Sequence, residues 1–350
     1  IQSIMDDGTD KNIRFKGEDN LLRWVNPSDL ETLMEGGGEQ EDAFFEKITY
    51  DALEKGYPRI YISSNTGARL TINEKLKQCY RIKWLDPTDI HQGVEYLYLT
   101  ETDYQKYKTD VQAEYIEPDV WKIKSIHNAG VETLDGAAAI ARSTVHAYRK
   151  GLTFTYVTGM SVGIGAYLAK LGERVIQKRD APIILTGFNT LNKIIGKEVY
   201  HSNLQIGGPD VMGCNGISHR VVDTDQEGVE TLLRWLNYRP CKPPSPEMIL
   251  KLQSTTFVPN AETPTHALID AFFDRGSFFE LMPDWAKTVK TGRAYLNGLP
   301  VGVIAANNQT VKKCPPLDPG NPCPSEELQS GCVWYPDSAL KTAQAINDLK

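Results

Sequence analysis

The sequence predicts an α/β layer architecture, and three observations carry that prediction. Short β-rich runs alternate with stretches of helical period, and two of the strand-to-helix passages run through glycine turns, near Gly67 and near Gly163. The chain has 350 residues, enough to bury the core of one large unit or two domains. Hydrophobic residues make up 41% and charged residues 24%, which excludes a disordered or fibrous chain.

The elements follow in order. Residues 1–38 are polar and patternless apart from Asn20–Val25, and they close in Gly36-Gly37-Gly38. They are expected to form a loosely attached, poorly ordered N-terminal arm, with residues 39–350 as a single large domain. From Glu39 the period turns helical, with Phe44, Ile48 and Ala52 recurring every fourth residue, Phe45 and Leu53 beside them, and Gly56-Tyr57-Pro58 as the stop. A strand Arg59–Ser63 then leads into Asn65-Thr66-Gly67-Ala68-Arg69. Thr71 and Glu74 match a capping box, so a second helix is expected there, carrying Leu76 and Tyr80.

The strand, glycine turn and helix arrangement returns as Leu152–Val157, the turn Gly159–Gly165, and Ala166–Leu171 stopped by Gly172. Strands are expected at Arg174–Ile176 and Pro182–Thr186, and a hairpin turning at Asn297-Gly298. The proline-dense stretches 240–265 and 312–331 read as surface excursions.

Several classes of function drop out. The formal net charge is −7, and basic residues cluster only in pairs such as Lys312-Lys313, so nucleic acid is not an expected partner. No run approaches the ~18 apolar residues of a membrane span, and no basic-then-apolar leader is seen, so a soluble, unsecreted protein is expected. The cysteines at 79, 214, 241, 314, 323 and 332 form no CxxC pair, as expected of reduced thiols in an intracellular protein. The six histidines show no HxxxH spacing, and no metal site is expected. Neither a Walker A loop nor a GxGxxG stands in the first strand–helix unit. The chain opens Ile1-Gln2-Ser3 and stops inside a helical pattern, as a fragment would.

Chemistry is expected at the two glycine turns. A turn entering a helix presents backbone N–H groups with no intrahelical partner, and the helix dipole adds positive character there. Missing side chains at Gly163-Ile164-Gly165, and at Gly67 before Ala68, let a substrate approach that backbone, as an oxyanion site requires. The second turn also spells Gly159-Met160-Ser161-Val162-Gly163, a literal G-x-S-x-G. With Asp223 or Asp225 and then His266 it keeps the Ser, Asp, His order of an α/β hydrolase, although no HGGG-like segment precedes it. Ser161 is therefore either a turn hydroxyl or the nucleophile of a serine hydrolase.

At these turns the sequence resembles the N-terminal half of the carboxyltransferase component of eukaryotic multidomain acetyl-CoA carboxylases. The matching text is ordered along the chain: QEDAFFEKI (40–48), PRIYISSNTGAR (58–69), EYLYLT (95–100), VTGMSVGIGAYLAKLGERVIQ (157–177) and PIILTGFNTLNKIIGKEVYHSNLQIGG (182–208). FDRGSFFE (273–280), GLPVGVIA (298–305) and VWYPDSALKTAQAI (333–346) continue it.

The resemblance implies a crotonase-like fold (ClpP/crotonase), a superhelix of β-β-α turns. It implies transfer of carboxylate from carboxybiotin, borne on a biotin carboxyl carrier domain, to acetyl-CoA, giving malonyl-CoA for fatty acid biosynthesis. Carried over by position, Ala68, Gly163 and Ile164 are the catalytic backbone donors. Arg69, Leu134, Gly165 and Tyr167 are the substrate-binding residues, with Leu134 and Tyr167 lining the acyl and biotin cavity and Arg69 holding the strand turn or the CoA. The resemblance also implies a C-terminal carboxyltransferase half as partner, a homodimer in the complete enzyme, and a cytoplasmic or plastid location, with acetyl-CoA or propionyl-CoA as acceptor. The family carries Arg where this chain has Met160, and its β-rich segment before residue 40 is not evident here. A catalytically degenerate paralogue or fragment acting as an interaction domain is the alternative that these departures raise.

Overall fold

The computed structural model describes residues 13–16, 22–25, 39–67, 76, 78–89, 93–126, 132–239, 257–260, 262–313, 315, 318–320 and 326–349. In chain order the elements begin with β1 (Ile13–Lys16), β2 (Leu22–Val25), α1 (Glu39–Glu54), β3 (Arg59–Asn65), β4 (Arg81–Trp84), β5 (Val94–Leu99), α2 (Glu101–Tyr107), β6 (Val111–Glu117), β7 (Val120–Ile126) and α3 (Glu132–Lys150). Then come β8 (Thr153–Val162), α4 (Ile164–Leu171), β9 (Val175–Lys178), β10 (Ile183–Ile184), α5 (Phe188–Ile195), α6 (Leu204–Gly207), α7 (Pro209–Met212), β11 (Arg220–Val222) and α8 (Asp225–Asn237). The chain continues with α9 (Thr265–Phe272), β12 (Phe279–Leu281), β13 (Val289–Leu296), β14 (Leu299–Ala306), β15 (Val311–Lys313), β16 (Glu327–Gln329) and α10 (Pro336–Leu349). These elements fall into two compact units, residues 1–47 with 68–142, and residues 48–67 with 143–350.

In the first unit β1 and β2, inside the expected arm, pair antiparallel with Ile13 opposite Val25. Four further strands form an antiparallel sheet in the order β4-β5-β7-β6. One face of it buries Leu99 and Val111 together with Leu76 and with Tyr107 of α2. Thr100 caps α2, its hydroxyl accepting the Asp103 N–H at 3.2 Å, and Tyr104 stacks on Trp121 with ring centroids 3.7 Å apart. The capping box expected at Thr71 and Glu74 lies outside the described residues.

The second unit is built on β8. Its run Thr153-Phe154-Thr155-Tyr156-Val157 is buried throughout, the pattern of a central parallel strand covered on both faces. β3 pairs along one edge in parallel, and β9 along the other, with β11 beyond it. Further along, Ser161 and Val162 pair with Ile183 and Ile184 of β10. Because the ladder passes on to β10, the strand continues through Val162 instead of ending at Val157, and only Gly163 turns. Two layers cover the sheet. Tyr156, Phe154 and Ile176 pack against Leu232 and Trp235 of α8, while Val157, Val175 and Ile183 pack against Ala166 and Ala169 of α4.

β13 and β14 form the expected hairpin, with Leu296 opposite Leu299 and positive φ at Asn297 (51°) and Gly298 (80°), a type I′ geometry. The Asp274 carboxylate accepts both turn N–H groups at 2.7 Å. α1 forms as the period predicts, but Phe44 and Ile48 of its apolar stripe stand 57% and 47% exposed, whereas Asp42 and Thr49 are buried. Most of the first proline-dense excursion lies outside the described residues. The ends of the second pair as β15 and β16, with Val311 opposite Gln329.

Candidate functional site

The site grows from the shared ends of β3 and β8. Their register runs from Arg59 opposite Thr153 to Ser63 opposite Val157, then shifts so that Asn65 lies opposite Ser161. The two strands therefore end side by side, each in a glycine turn. On the first, the Gly67 N–H donates to Asn65 Oδ1 at 2.6 Å, an Asx turn that sets Gly67 at φ +99°. On the second, Gly163 takes φ 57° and ψ −122° as the N-cap of α4, a conformation that a side chain would strain.

The two turns approach each other as bare backbone. A Cβ on Gly67 would lie 2.9 Å from the Val162 carbonyl oxygen, and one on Gly165 would lie 2.9 Å from the Asn65 carbonyl oxygen. Gly165 is thus the close-packing residue that lets α4 start against the end of β3.

The donors at this turn sort by partner. The Gly163 N–H donates to the Ile184 carbonyl at 3.0 Å, so it is directed at the protein and Gly163 acts through its conformation. The Gly163 carbonyl accepts from the N–H of Ala166 at 3.1 Å and of Tyr167 at 3.2 Å. The Ile164 and Gly165 N–H groups of the first turn have no intrahelical acceptor, and the helix dipole favours negative charge before them. Ala68 and Arg69 lie outside the described residues. Leu134 falls in α3, but its side chain lies outside the description. Tyr167 stands 55% exposed, three residues after Ile164 and hence on the same face of α4.

Residues not singled out from the sequence complete the surroundings. Asn203 accepts the Phe188 N–H at the start of α5 on its Oδ1 at 2.9 Å and turns its amide toward Met160 Sδ at 3.5 Å. Met160, at the position where an Arg is expected by resemblance, is 39% exposed, and Leu185, one residue after β10, is 61% exposed. Asn65 was legible as the Asn-x-Gly of an Asx turn; Asn203 carried no local signal.

The serine-hydrolase reading is overturned by the same geometry. Gly159–Val162 is strand, not elbow, and Ser161 is fully buried with its Oγ 2.7 Å from Ser63 Oγ. The proposed acids are engaged elsewhere. Asp223 pairs with Arg179 at 2.5 Å, and Asp225 accepts from Thr158 at 2.5 Å and Tyr156 at 2.6 Å. These bonds, Thr158 first, hold the Asp225 carboxyl below its usual range, while burial and then Asp225 push the Tyr156 phenol up. Among the described residues no group of three or more His, Cys, Asp or Glu side chains is placed to hold a metal. No described helix is long and apolar enough to cross a membrane.

Comparison with known proteins gives a consistent picture. A family model described as the carboxyl transferase domain matches residues 28–350. Acetyl-CoA carboxylase 2 of Oryza sativa subsp. japonica is 44% identical over 338 residues, covering 89% of this chain and 14% of that protein. Acetyl-CoA carboxylase 1 of Arabidopsis thaliana is 43% identical over 338 residues, covering 89% of this chain and 15% of its own length. The mitochondrial acetyl-CoA carboxylase of Saccharomyces cerevisiae (strain ATCC 204508 / S288c) is 42% identical over 344 residues, with coverages of 89% and 15%. The chain therefore spans about 15% of the length of these relatives. Among solved structures, transcarboxylase 12S with hydrolysed methylmalonyl-coenzyme A bound superposes with TM-score 0.53 at 16% identity, over 78% of this chain and 44% of that one. That likeness shows the fold, and it is the crotonase-like α/β fold.

Proposed function

Because the chain belongs to the carboxyl transferase domain family, we propose that it is the N-terminal, acyl-CoA-binding half of the carboxyltransferase of an acetyl-CoA carboxylase. The observation that carries the reading is the meeting of the Gly67 and Gly163 turns at the start of α4. An enolate needs donors fixed in place, not an ionisable nucleophile, and such preorganised N–H groups are worth about 3 kcal/mol each at the barrier.

In this reading the thioester oxygen of acetyl-CoA lies before the Ile164 N–H, with Ala68 as the donor from the first turn. As the methyl group loses its proton, both N–H groups hold the developing negative charge, and the dipole of α4 adds to them. When bound, carboxybiotin would supply the carboxylate for the methyl carbon, giving malonyl-CoA, and would take up the methyl proton in exchange. The residues fit these groups: beside Gly163 the nearest atom to an added Cβ is the Gly67 Cα at 3.9 Å, so space is left before α4, and Tyr167 offers an exposed ring on the same helix face. Arg69, Leu134 and Gly165 complete the cavity wall. The rest of the site comes from a C-terminal carboxyltransferase half within a homodimer, and residues 39–350 act as one domain of it. The compartment is cytoplasmic or plastid.

The test is calorimetric titration of acetyl-CoA into this chain. Saturable heat at millimolar ligand, lost in Gly67→Ala with an unchanged circular dichroism spectrum, is expected. Absence of heat with the intact chain overturns the reading. Supplied with the C-terminal half, the chain is expected to decarboxylate malonyl-CoA; binding without any turnover would favour the non-catalytic interaction domain that Met160 suggests.

A further inference from the structure

The outward face of the β4-β5-β7-β6 sheet gathers charge that is dispersed in the sequence. The antiparallel registers place Arg81 opposite Tyr98, Tyr98 opposite Lys122, and Lys122 opposite Glu114, with Lys83 opposite Tyr96 in the next row. These positions alternate with Leu97, Leu99, Ala113 and Ile123, whose face holds the core. Arg81, Lys83 and Lys124 are exposed, and Tyr96, Tyr98 and Lys122 are half-buried. Lys122 Nζ sits 5.0 Å from the centroid of the Tyr96 ring, and Lys124 pairs with Glu114 at 2.5 Å. Among the described residues no carboxylate pairs with Arg81 or Lys83. On a chain of net charge −7, this one face therefore opposes four cations to two carboxylates, Glu114 and, opposite Val120 at the end of the sheet, Glu117.

We propose that this face docks an extended acidic peptide segment of a partner protein. Charge complementarity selects a polyanion, and the aromatic geometry selects which kind. Base stacking needs a free ring face, and the Tyr96 face is occupied by the Lys122 ammonium, while Tyr98 meets Tyr96 edge-on at 6.2 Å. Alternate side chains of an extended peptide stand about 7 Å apart, so carboxylates at every second residue lie within reach of the long, flexible Arg and Lys side chains on strands spaced about 4.8 Å. The tyrosine hydroxyls between the charges add neutral donors to the same carboxylates.

The probe is fluorescein-labelled octaglutamate, with binding to this chain read by anisotropy. Saturable binding is expected, weakening at least about tenfold between roughly 50 and 300 mM salt. Lys83→Glu with Lys124→Glu is expected to weaken it by about tenfold or more, while Lys312→Glu, on the exposed β15, leaves it unchanged. An octathymidylate and phosphatidylserine vesicles form the rival arms. The proposal is overturned if octaglutamate does not bind, if Lys312→Glu weakens it as much as the double variant, or if either rival binds more tightly. Should the double variant unfold, Arg81→Gln and Lys83→Gln take its place, each expected to lower affinity; unchanged affinity in both overturns the proposal.

Discussion

A Cβ on Gly67 would fall 3.8 Å from the Cα of Gly163 and 2.9 Å from the carbonyl oxygen of the residue before it, so the first turn has no room for a side chain where it meets the second. This contact brings the ends of β3 and β8, far apart in the chain, into one backbone cradle.

Gly163→Ala is expected to destabilise the chain by about 1–3 kcal/mol, because φ 57° with ψ −122° is strained for any residue with a Cβ. Space is not the obstacle, since the nearest atom to the added Cβ is 3.9 Å away. Urea unfolding measures the loss, and acetyl-CoA calorimetry should show weakened binding. An unchanged midpoint would mean that the turn relaxes into another conformation.

Ser161→Ala removes one half of a buried hydroxyl pair while Tyr61 still bonds Ser63, at a cost of about 1 kcal/mol. The Ser63→Ala, Ser161→Ala double variant should lose less than the sum of the singles, a coupling that a double-mutant cycle reads directly. Fluorophosphonate probes are expected not to label the folded chain; labelling lost in Ser161→Ala would restore the hydrolase reading.

Lys341 is fully buried in α10, its ammonium donating to the carbonyls of Met282 and Trp285, both at 2.8 Å. Burial pushes its pKa from 10.5 down to about 7, with Glu280 partly opposing the shift. Below about pH 7 the charge is buried at full cost; between about 7 and 10.5 the unfolded chain binds a proton that the native state has shed, so stability rises with pH. The stability difference between the wild type and Lys341→Met should therefore shift in favour of the wild type across that window, measured as urea midpoints at several pH values. A pH-independent difference would show that the ammonium stays charged in the fold.

Asp348 joins two guanidinium groups, pairing with Arg293 at 2.5 Å and with the buried Arg174. Burial lowers the Arg174 pKa, and Asp348 is the main influence opposing it. Asp348→Asn leaves that buried charge uncompensated and should cost about 3–5 kcal/mol in chemical denaturation. Replacing Arg174, Arg293 and Asp348 together by apolar residues of similar volume should recover much of the loss.

The sequence by itself determined whatever is encoded over a few residues. Asn297-Gly298 demanded positive φ and made the hairpin; the β-rich runs at Arg59 and Thr153 made strands; the glycines after them made turns. The ordered motifs, read together, pointed to the family. Only the tertiary structure decided which of those residues face what. Local text cannot show that Ser161 lies against Ser63, that the Gly163 N–H is held by Ile184, or that Phe44 and Ile48 remain exposed, because burial depends on the strands and helices that arrive from elsewhere in the chain. The same holds for charge. Arg81, Lys83, Lys122 and Lys124 form no basic run in the sequence, and it is the β4-β5-β7-β6 pairing, with alternate side chains on opposite faces, that turns them into one surface.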